Sequence, residues 1–245
     1  MFTGIVAAVG AIREVDALGD DGLRLTVAAG GLDMSDVALG DSIAIQGACM
    51  TVVSRTADSF VVEVSAESLR RTVGLARPGA VNLEKAMRLS DRVGGHLVSG
   101  HVDGLGVVRR FEQVGESHLL EILAPQAMAP FVAVKGSITV DGVSLTVNQV
   151  QDLSLSAALA DAAWSAEARH TLAGDQDRAP TETAGIVAPD LPCCAFQINL
   201  IPHTLAQTTL KRLQPGLAVN LEIDLVARYL ARMQAVAARH DSTQN

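Results

Sequence analysis

His101, Lys135, Cys49, Ser144 and Asp224 are the residues whose types and placement suit chemistry in this 245-residue chain. An imidazole exchanges protons near neutral pH and suits general acid–base work. A thiol or hydroxyl, such as Cys49 or Ser144, can add to an electron-poor carbon once a base takes its proton. Each residue also has a plain structural reading. His101 could satisfy a backbone group, and Cys49 lies among apolar neighbours, where a thiol is usually a small core residue. Ser144 and Thr146 could be outward polar positions of a strand. Lys135 could be solvated, and Asp224 could cap a following helix. No GxSxG, phosphate-loop, GxGxxG-helix or HExxH pattern accompanies them. Spacing alone therefore leaves the ligand open.

What sets these residues apart is a repeat that they break. Thr3-Gly4-Ile5-Val6 through Gly10 recurs as Ser99-Gly100-His101-Val102 through Gly106. Ser42-Ile43 through Gly47-Ala48-Cys49-Met50-Thr51-Val52 recurs as Ser137-Ile138 through Gly142-Val143-Ser144-Leu145-Thr146-Val147. Phe60 through Glu67-Ser68-Leu69 to Thr72 recurs as Phe196 through His203-Thr204-Leu205 to Thr208, and Val81-Asn82-Leu83-Glu84 as Val219-Asn220-Leu221-Glu222. Within this framework His101 replaces Ile5, Ser144 matches Cys49, and Lys135 stands for Gly40. His203 matches Glu67, and Asp224 falls where the first copy has Ala86.

The elements that carry the repeat are short and rich in Val, Ile, Leu and Thr. Leu23-Arg24-Leu25-Thr26-Val27 alternates with the period of a half-buried strand. Gly19-Asp20-Asp21-Gly22, Pro78-Gly79 and Pro215-Gly216 punctuate the strands. About six short strands per copy, without crossover helices, predict an all-β fold of two tandem six-stranded antiparallel Greek-key barrels with a C-terminal α-helix. The expected division is 1–97, 98–224 and a helical tail 225–245, with Glu84 to Leu97 linking the copies. The second copy carries an insert at about 151–195, where the first has only Ser54 to Ser59. It holds Trp164 and three prolines and is expected to bulge from the hairpin, with a short helix near Leu155 to His170. In the tail, Val226, Leu230, Met233 and Ala237 fall at helical spacing with Tyr229 and Val236 beside them. Such a helix either packs on its own barrels or bundles with copies from other subunits.

Composition narrows the function. A net charge of −8 and a pI near 5.2 argue against nucleic-acid binding. Aromatics are 3% of residues, so no aromatic cage can hold a flat ligand. Cys49, Cys193 and Cys194 supply neither a disulfide framework nor a zinc-ligand spacing, and they fit a reducing compartment. No stretch approaches the length of a membrane span, and the apolar start lacks the basic residues of a signal peptide.

The chain resembles the riboflavin synthase family. The resemblance is carried by Met1-Phe2-Thr3-Gly4-Ile5-Val6, by Gly47-Ala48-Cys49-Met50-Thr51-Val52 and by Gly94-Gly95-His96-Leu97-Val98-Ser99-Gly100-His101-Val102-Asp103-Gly104. The second half adds Lys135-Gly136-Ser137, Asp141-Gly142-Val143-Ser144-Leu145-Thr146-Val147, Asn199-Leu200-Ile201-Pro202-His203-Thr204-Leu205 and Val219-Asn220-Leu221-Glu222-Ile223-Asp224. The resemblance implies a cofactor-free, metal-free dismutation. Two 6,7-dimethyl-8-ribityllumazine molecules exchange a four-carbon unit, giving riboflavin and 5-amino-6-(D-ribitylamino)uracil. It implies a cytoplasmic homotrimer, association with lumazine synthase, and substrates held between neighbouring subunits. The 7-methyl group of a lumazine is acidic, which suits His101 as base. Cys49 or Ser144 could be the nucleophile, and stacked substrates would make aromatic residues unnecessary. Carried over by position, one pocket uses Gly4, Ile5, Val6, Cys49, Met50, Thr51, Glu63, Val64, Ser65, Ala66, Glu67 and Ser68. The other uses Gly100, His101, Val102, Ser144, Leu145, Thr146, Asn199, Leu200, Ile201, Pro202, His203 and Thr204, with Lys135 reaching across an interface. Phe2, Ser42 and Asp224 also match functional positions, and Thr146, Lys135 and Asp224 join the catalytic candidates. A non-catalytic lumazine or flavin carrier of the same fold is the alternative.

Overall fold

The computed structural model describes residues 1–19, 22–153 and 193–242. The chain is mostly β, and each copy of the repeat builds one antiparallel sheet. The first copy forms β1 (Ala8–Leu18), β2 (Gly22–Ala28), β3 (Ser42–Ile45), β4 (Ala48–Arg55), β5 (Ser59–Val64) and β6 (Gly79–Lys85). They close into a barrel in the order β1-β2-β5-β4-β3-β6. In β2 the alternation read from the sequence holds: Leu25 and Val27 are buried, while Arg24 points out. The barrel closes over Ile12, Leu25, Val27, Ile43, Phe60, Val62 and Leu83.

The second copy forms β7 (Gly104–Val114), β8 (Ser117–Ala124), β9 (Ser137–Val140), β10 (Val143–Thr146), β11 (Gln149–Leu153), β12 (Cys193–Leu200) and β13 (Ala218–Ile223). Its sheet runs β10-β9-β13-β7-β8-β12-β11. The seventh strand comes from a break, because β10 and β11 together occupy the place of β4. In the first copy the same place carries an irregularity between Val52 and Ser54. Leu120, Ile122, Phe196, Ile198, Val219 and Leu221 fill this second core.

The insert falls between β11 and β12, and residues 154–192, with the helix expected near Leu155 to His170, lie outside the described residues. The flanking strands keep their pairing, with Leu153 opposite Cys193 and Gln149 opposite Gln197. β12 also pairs with β8 from Cys194 to Leu200.

Two short helices escaped the periodicity argument, being too brief to show a period. They are α1 (Ala66–Arg71) after β5 and α2 (Pro202–Gln207) after β12. Ser65 caps α1 by accepting from the Ser68 N–H at 3.2 Å. Pro202 starts α2, where its missing N–H costs nothing. The link between the copies is shorter than expected, because Glu84 and Lys85 belong to β6.

The copies meet around a pseudo-two-fold axis. Gln46-Gly47 and Asp141-Gly142 are the two-residue turns of the β3–β4 and β9–β10 hairpins, each with positive φ at both residues. The turns abut: a Cβ on Gly47 would lie 2.8 Å from the Gly142 nitrogen, and the reverse holds. Around them the asparagines exchange bonds. Asn82 Nδ2 donates to Asp141 O at 2.8 Å and Asn220 Nδ2 to Gln46 O at 2.9 Å.

The chain ends in α3 (Leu225–Ser242). Asp224 caps it, its Oδ1 accepting from the Val226 N–H at 2.8 Å. Arg228 ties the first turn to Asp103 at 2.6 Å, and Ala227 and Ala231 pack on the second core. The larger apolar residues of the helix do not: Val226, Tyr229, Leu230 and Met233 are all more than half exposed. No helix among the described residues is long and apolar enough to cross a membrane.

Candidate functional site

Cys49 and Ser144 are each the second residue after an abutting turn, so the contact between the barrels sets where they stand. Each receives the lead segment of the opposite copy. Cys49 N–H donates to Gly100 O, and Ser144 N–H to Gly4 O, both at 2.8 Å. A Cβ on Gly4 would fall 2.5 Å from Ser144 Cβ, and one on Gly100 would fall 2.7 Å from Cys49 Cβ. Glycine is required at both places by this approach and by φ of +74° and +78°.

This corrects the grouping expected from residue order. Gly4-Ile5-Val6 belongs with Ser144, and Val6 packs on the second core. Gly100-His101-Val102 belongs with Cys49, and Val102 packs on the first core. The expectation failed because each lead segment leaves its own strands and crosses to the other barrel.

Two buried carboxylates hold the crossing segments. Glu84 Oε1 accepts from the Thr3 N–H and hydroxyl at 2.7 Å, and its Oε2 from the Gly4 N–H at 3.0 Å. Glu222 does the same for the Ser99 N–H at 2.6 Å, the Ser99 hydroxyl at 2.7 Å and the Gly100 N–H at 3.0 Å. Burial raises both carboxyls above the usual range, and these bonds pull the other way. The sequence reading missed this role, although both residues close the repeated Val-Asn-Leu-Glu run.

The first half-site then assembles from three places. Cys49 is half-buried and Thr51 exposed on β4, with Met50 turned into the core and Ser42 opposite Thr51 on β3. His101 is exposed on the crossing segment. The β5–α1 connection supplies Glu63 to Ser68. There Val64 is buried, Glu63 pairs with Arg24 at 2.7 Å, and Glu67 pairs with Arg70 and Arg71. Those two guanidiniums hold the Glu67 carboxyl down at about 2. His101, Val102 and Arg71 share a cleft of about 590 Å³ with Met1, Phe131 and Tyr229.

The second half-site has the same plan with different side chains. Ser144 is half-buried and Thr146 exposed on β10, and Leu145 faces the core. Asn199 is exposed at the end of β12 and Leu200 buried. Ile201, Pro202 and His203 are exposed, and Thr204 is half-buried at the start of α2. Ile5 is exposed on the crossing segment. Lys135 is exposed with φ of +66°, its N–H donating to Val147 O at 2.7 Å. Phe2, by contrast, is fully buried between Val98, Ala44 and Gly100.

One residue that was not singled out stands inside this half-site. His96 Nδ1 lies 2.7 Å from Ser144 Oγ, and its Nε2 lies 3.5 Å from Thr139 Oγ1. Burial lowers the His96 pKa, and the charge of Asp224 works against that shift. The signal was present in Gly94-Gly95-His96, but it has no mate in the repeat to draw attention to it. Among the described residues, no three His, Cys, Asp or Glu side chains cluster as metal ligands.

The sequence model described as "Lumazine binding domain" matches residues 3–86, 99–176 and 186–224. The chain is 37% identical over 243 residues to "Riboflavin synthase" of Photobacterium phosphoreum, covering 98% of this chain and 92% of that one. It is 38% identical over 240 residues to the protein of that name from Mycobacterium tuberculosis (strain ATCC 25618 / H37Rv), covering 97% and 100%. The one from Bacillus subtilis (strain 168) is 31% identical over 246 residues, covering 100% and 94%. Among solved structures, LumP complexed with riboflavin superposes with a TM-score of 0.66 over 91% of this chain and 99% of that one. At 19% identity this likeness shows the fold alone.

Proposed function

The chain belongs to the riboflavin synthase family, and on that premise we infer how its residues divide the reaction. It is an enzyme, a transferase that dismutates two 6,7-dimethyl-8-ribityllumazine molecules to riboflavin and 5-amino-6-(D-ribitylamino)uracil. Each barrel contributes one half-site. One holds the lumazine that gives up the four-carbon unit, the other the lumazine that receives it. The observation that carries this division is the crossing of the lead segments. It equips both half-sites from the same framework, yet sets Cys49 and His101 in one and Ser144 and His96 in the other.

His101 takes the 7-methyl proton of the lumazine that receives the four-carbon unit, its exposure leaving the ring open to a bound molecule. Lys135 and Thr146, also exposed, face a substrate shared with another subunit. Backbone groups of Glu63 to Ser68 and of Asn199 to Thr204 grip the ring edges, because the Glu63 and Glu67 carboxylates are already engaged by arginines. Both half-sites open outward, and stacking two lumazines requires a second chain to bring the complementary half-site. A homotrimer joined through α3 meets that need, and the exposed Val226, Tyr229, Leu230 and Met233 support it. A cytoplasmic setting suits the Cys49 thiol. Association with lumazine synthase would shorten the substrate's path from its source.

Purified protein incubated with dimethylribityllumazine should develop riboflavin fluorescence without added cofactor. His101→Ala should lower kcat far more than it weakens lumazine binding. Lumazine bound but never converted by the unaltered protein would point instead to a carrier of the same fold.

A further inference from the structure

A second cleft, of about 540 Å³, opens between the two copies, and none of the half-site residues lines it. Gln46 and Asp141, the first residues of the abutting turns, both border it. The loop after α1 contributes Val73 and Arg77, and the segment after α2 contributes Arg212 and Leu213. Each copy thus brings one arginine. Both arginines are exposed, and among the described residues neither guanidinium meets a carboxylate or any other hydrogen-bond partner. Arginines elsewhere on this acidic chain, such as Arg24, Arg71 and Arg228, are tied to carboxylates.

The loop after α1 adds backbone donors to the arginines. The Val73 N–H is engaged by Asn220 Oδ1 at 2.8 Å. Among the described residues no acceptor takes the next four, the N–H groups of Gly74, Leu75, Ala76 and Arg77, although Leu75 is only 1% exposed. Gly74 turns the chain there with φ of +89°, and a Cβ on it would meet nothing within 4 Å. Successive free N–H groups in a turn can cup an anion. Asp141 is the one carboxyl among the lining residues, and burial pushes it up to about 7, so below neutrality it opposes an anion little.

We propose that this cleft binds an organic phosphate of mononucleotide size. Its phosphate monoester is held by Arg77, Arg212 and the N–H groups of Gly74 to Arg77, and its ring lies on Val73, Leu213 and Leu217. A guanidinium meets a phosphate through two parallel hydrogen bonds, which suits one arginine from each copy. The volume exceeds what a bare phosphate needs and falls in the range of small-molecule sites. The site is separate from the half-sites and does not depend on which substrate they take. Its occupant would rest on the turns that precede Cys49 and Ser144, and so on the contact that sets both half-sites.

The probes are adenosine monophosphate, inorganic phosphate and adenosine, each titrated into the whole protein by calorimetry. The monophosphate should bind saturably and more tightly than inorganic phosphate, and adenosine should not bind. Arg77→Ala and Arg212→Ala change exposed residues, and circular dichroism checks that both variants fold. Each should weaken the monophosphate at least about tenfold. In amide NMR the monophosphate should shift the N–H signals of Gly74 to Arg77. Excess riboflavin should leave its binding unchanged. Absence of saturable binding, adenosine binding as well as its monophosphate, or inorganic phosphate binding as tightly overturns the proposal. So does full affinity in both arginine variants, unmoved signals from Gly74 to Arg77, or displacement by riboflavin, which would put the nucleotide in a half-site.

Discussion

Asp141 and Gln46 occupy the same place in the two copies, at the first position of the abutting turns. Gln46 Oε1 accepts the Asn82 N–H at 2.9 Å, and Asp141 Oδ1 accepts the Asn220 N–H at 2.9 Å. The geometry is equal but the charge is not. Burial pushes the Asp141 carboxyl up from 3.8 to about 7, against the bonds from Asn220 and Gln46. The folded protein therefore keeps a proton that the unfolded chain releases near its ordinary carboxylate range. The stabilisation from the neutral acid is complete below about pH 4 and is lost as pH rises toward 7. Glu84 and Glu222, also raised, slope the same way. Asp141→Asn keeps the acceptor for Asn220 and removes the charge, as Gln46 already does. Melting by circular dichroism should find it more stable than the parent at pH 8, by an amount of order 2–4 kcal/mol, and nearly equal at pH 4. An unchanged difference between the two pH values would assign the slope to the glutamates.

At the scale of elements, the hairpin of β11 and β12 carries the largest departure from the first copy. Its paired residues run without a gap from Gln149–Gln197 to Leu153–Cys193, and β12 is anchored independently by β8. Asn199 to Thr204, which bear on the second half-site, begin six residues beyond that end of the hairpin and follow from the β8 pairing. Replacing residues 154–192 with a turn like Thr56 to Asp58 should thus leave lumazine conversion within about twofold and the number of subunits per particle unchanged. Loss of activity with retained folding, read by fluorescence assay and circular dichroism, would mean that the segment itself contributes to the site.

At the scale of the whole molecule, a row of uncovered apolar side chains runs along α3. Leu230 is 54% exposed and Met233 69% exposed, while Arg228 and the small Ala227 and Ala231 hold the helix to its own barrel. Anchoring and exposed face are therefore separable. Leu230→Glu with Met233→Glu should keep the barrels folded and convert the proposed trimer to monomers in light scattering. Activity should fall with it, since each stacked lumazine pair would then lose one of its two half-sites. Retained trimer mass in that variant would place the subunit contact elsewhere.

The residues by themselves determined the duplication, the two β-rich units, the terminal helix and the divergent positions. Those features follow from local rules: alternation along Leu23 to Val27, the Asp141-Gly142 turn and the helical spacing from Val226 to Met233. Ser144, Cys49 and His101 stood out as candidates because they break a repeat. Which segment serves which barrel was not legible. Gly4 and Gly100 occupy equivalent places in equivalent surroundings, so residue order fits a crossed and an uncrossed arrangement equally well. Packing at the pseudo-two-fold axis decided it, with the Ser144 N–H reaching Gly4 O and the Cys49 N–H reaching Gly100 O from the opposite barrel. The pairing of His96 with Ser144 was hidden for the same reason. It joins a residue of the link to a strand residue 48 positions away, which local rules do not bring together.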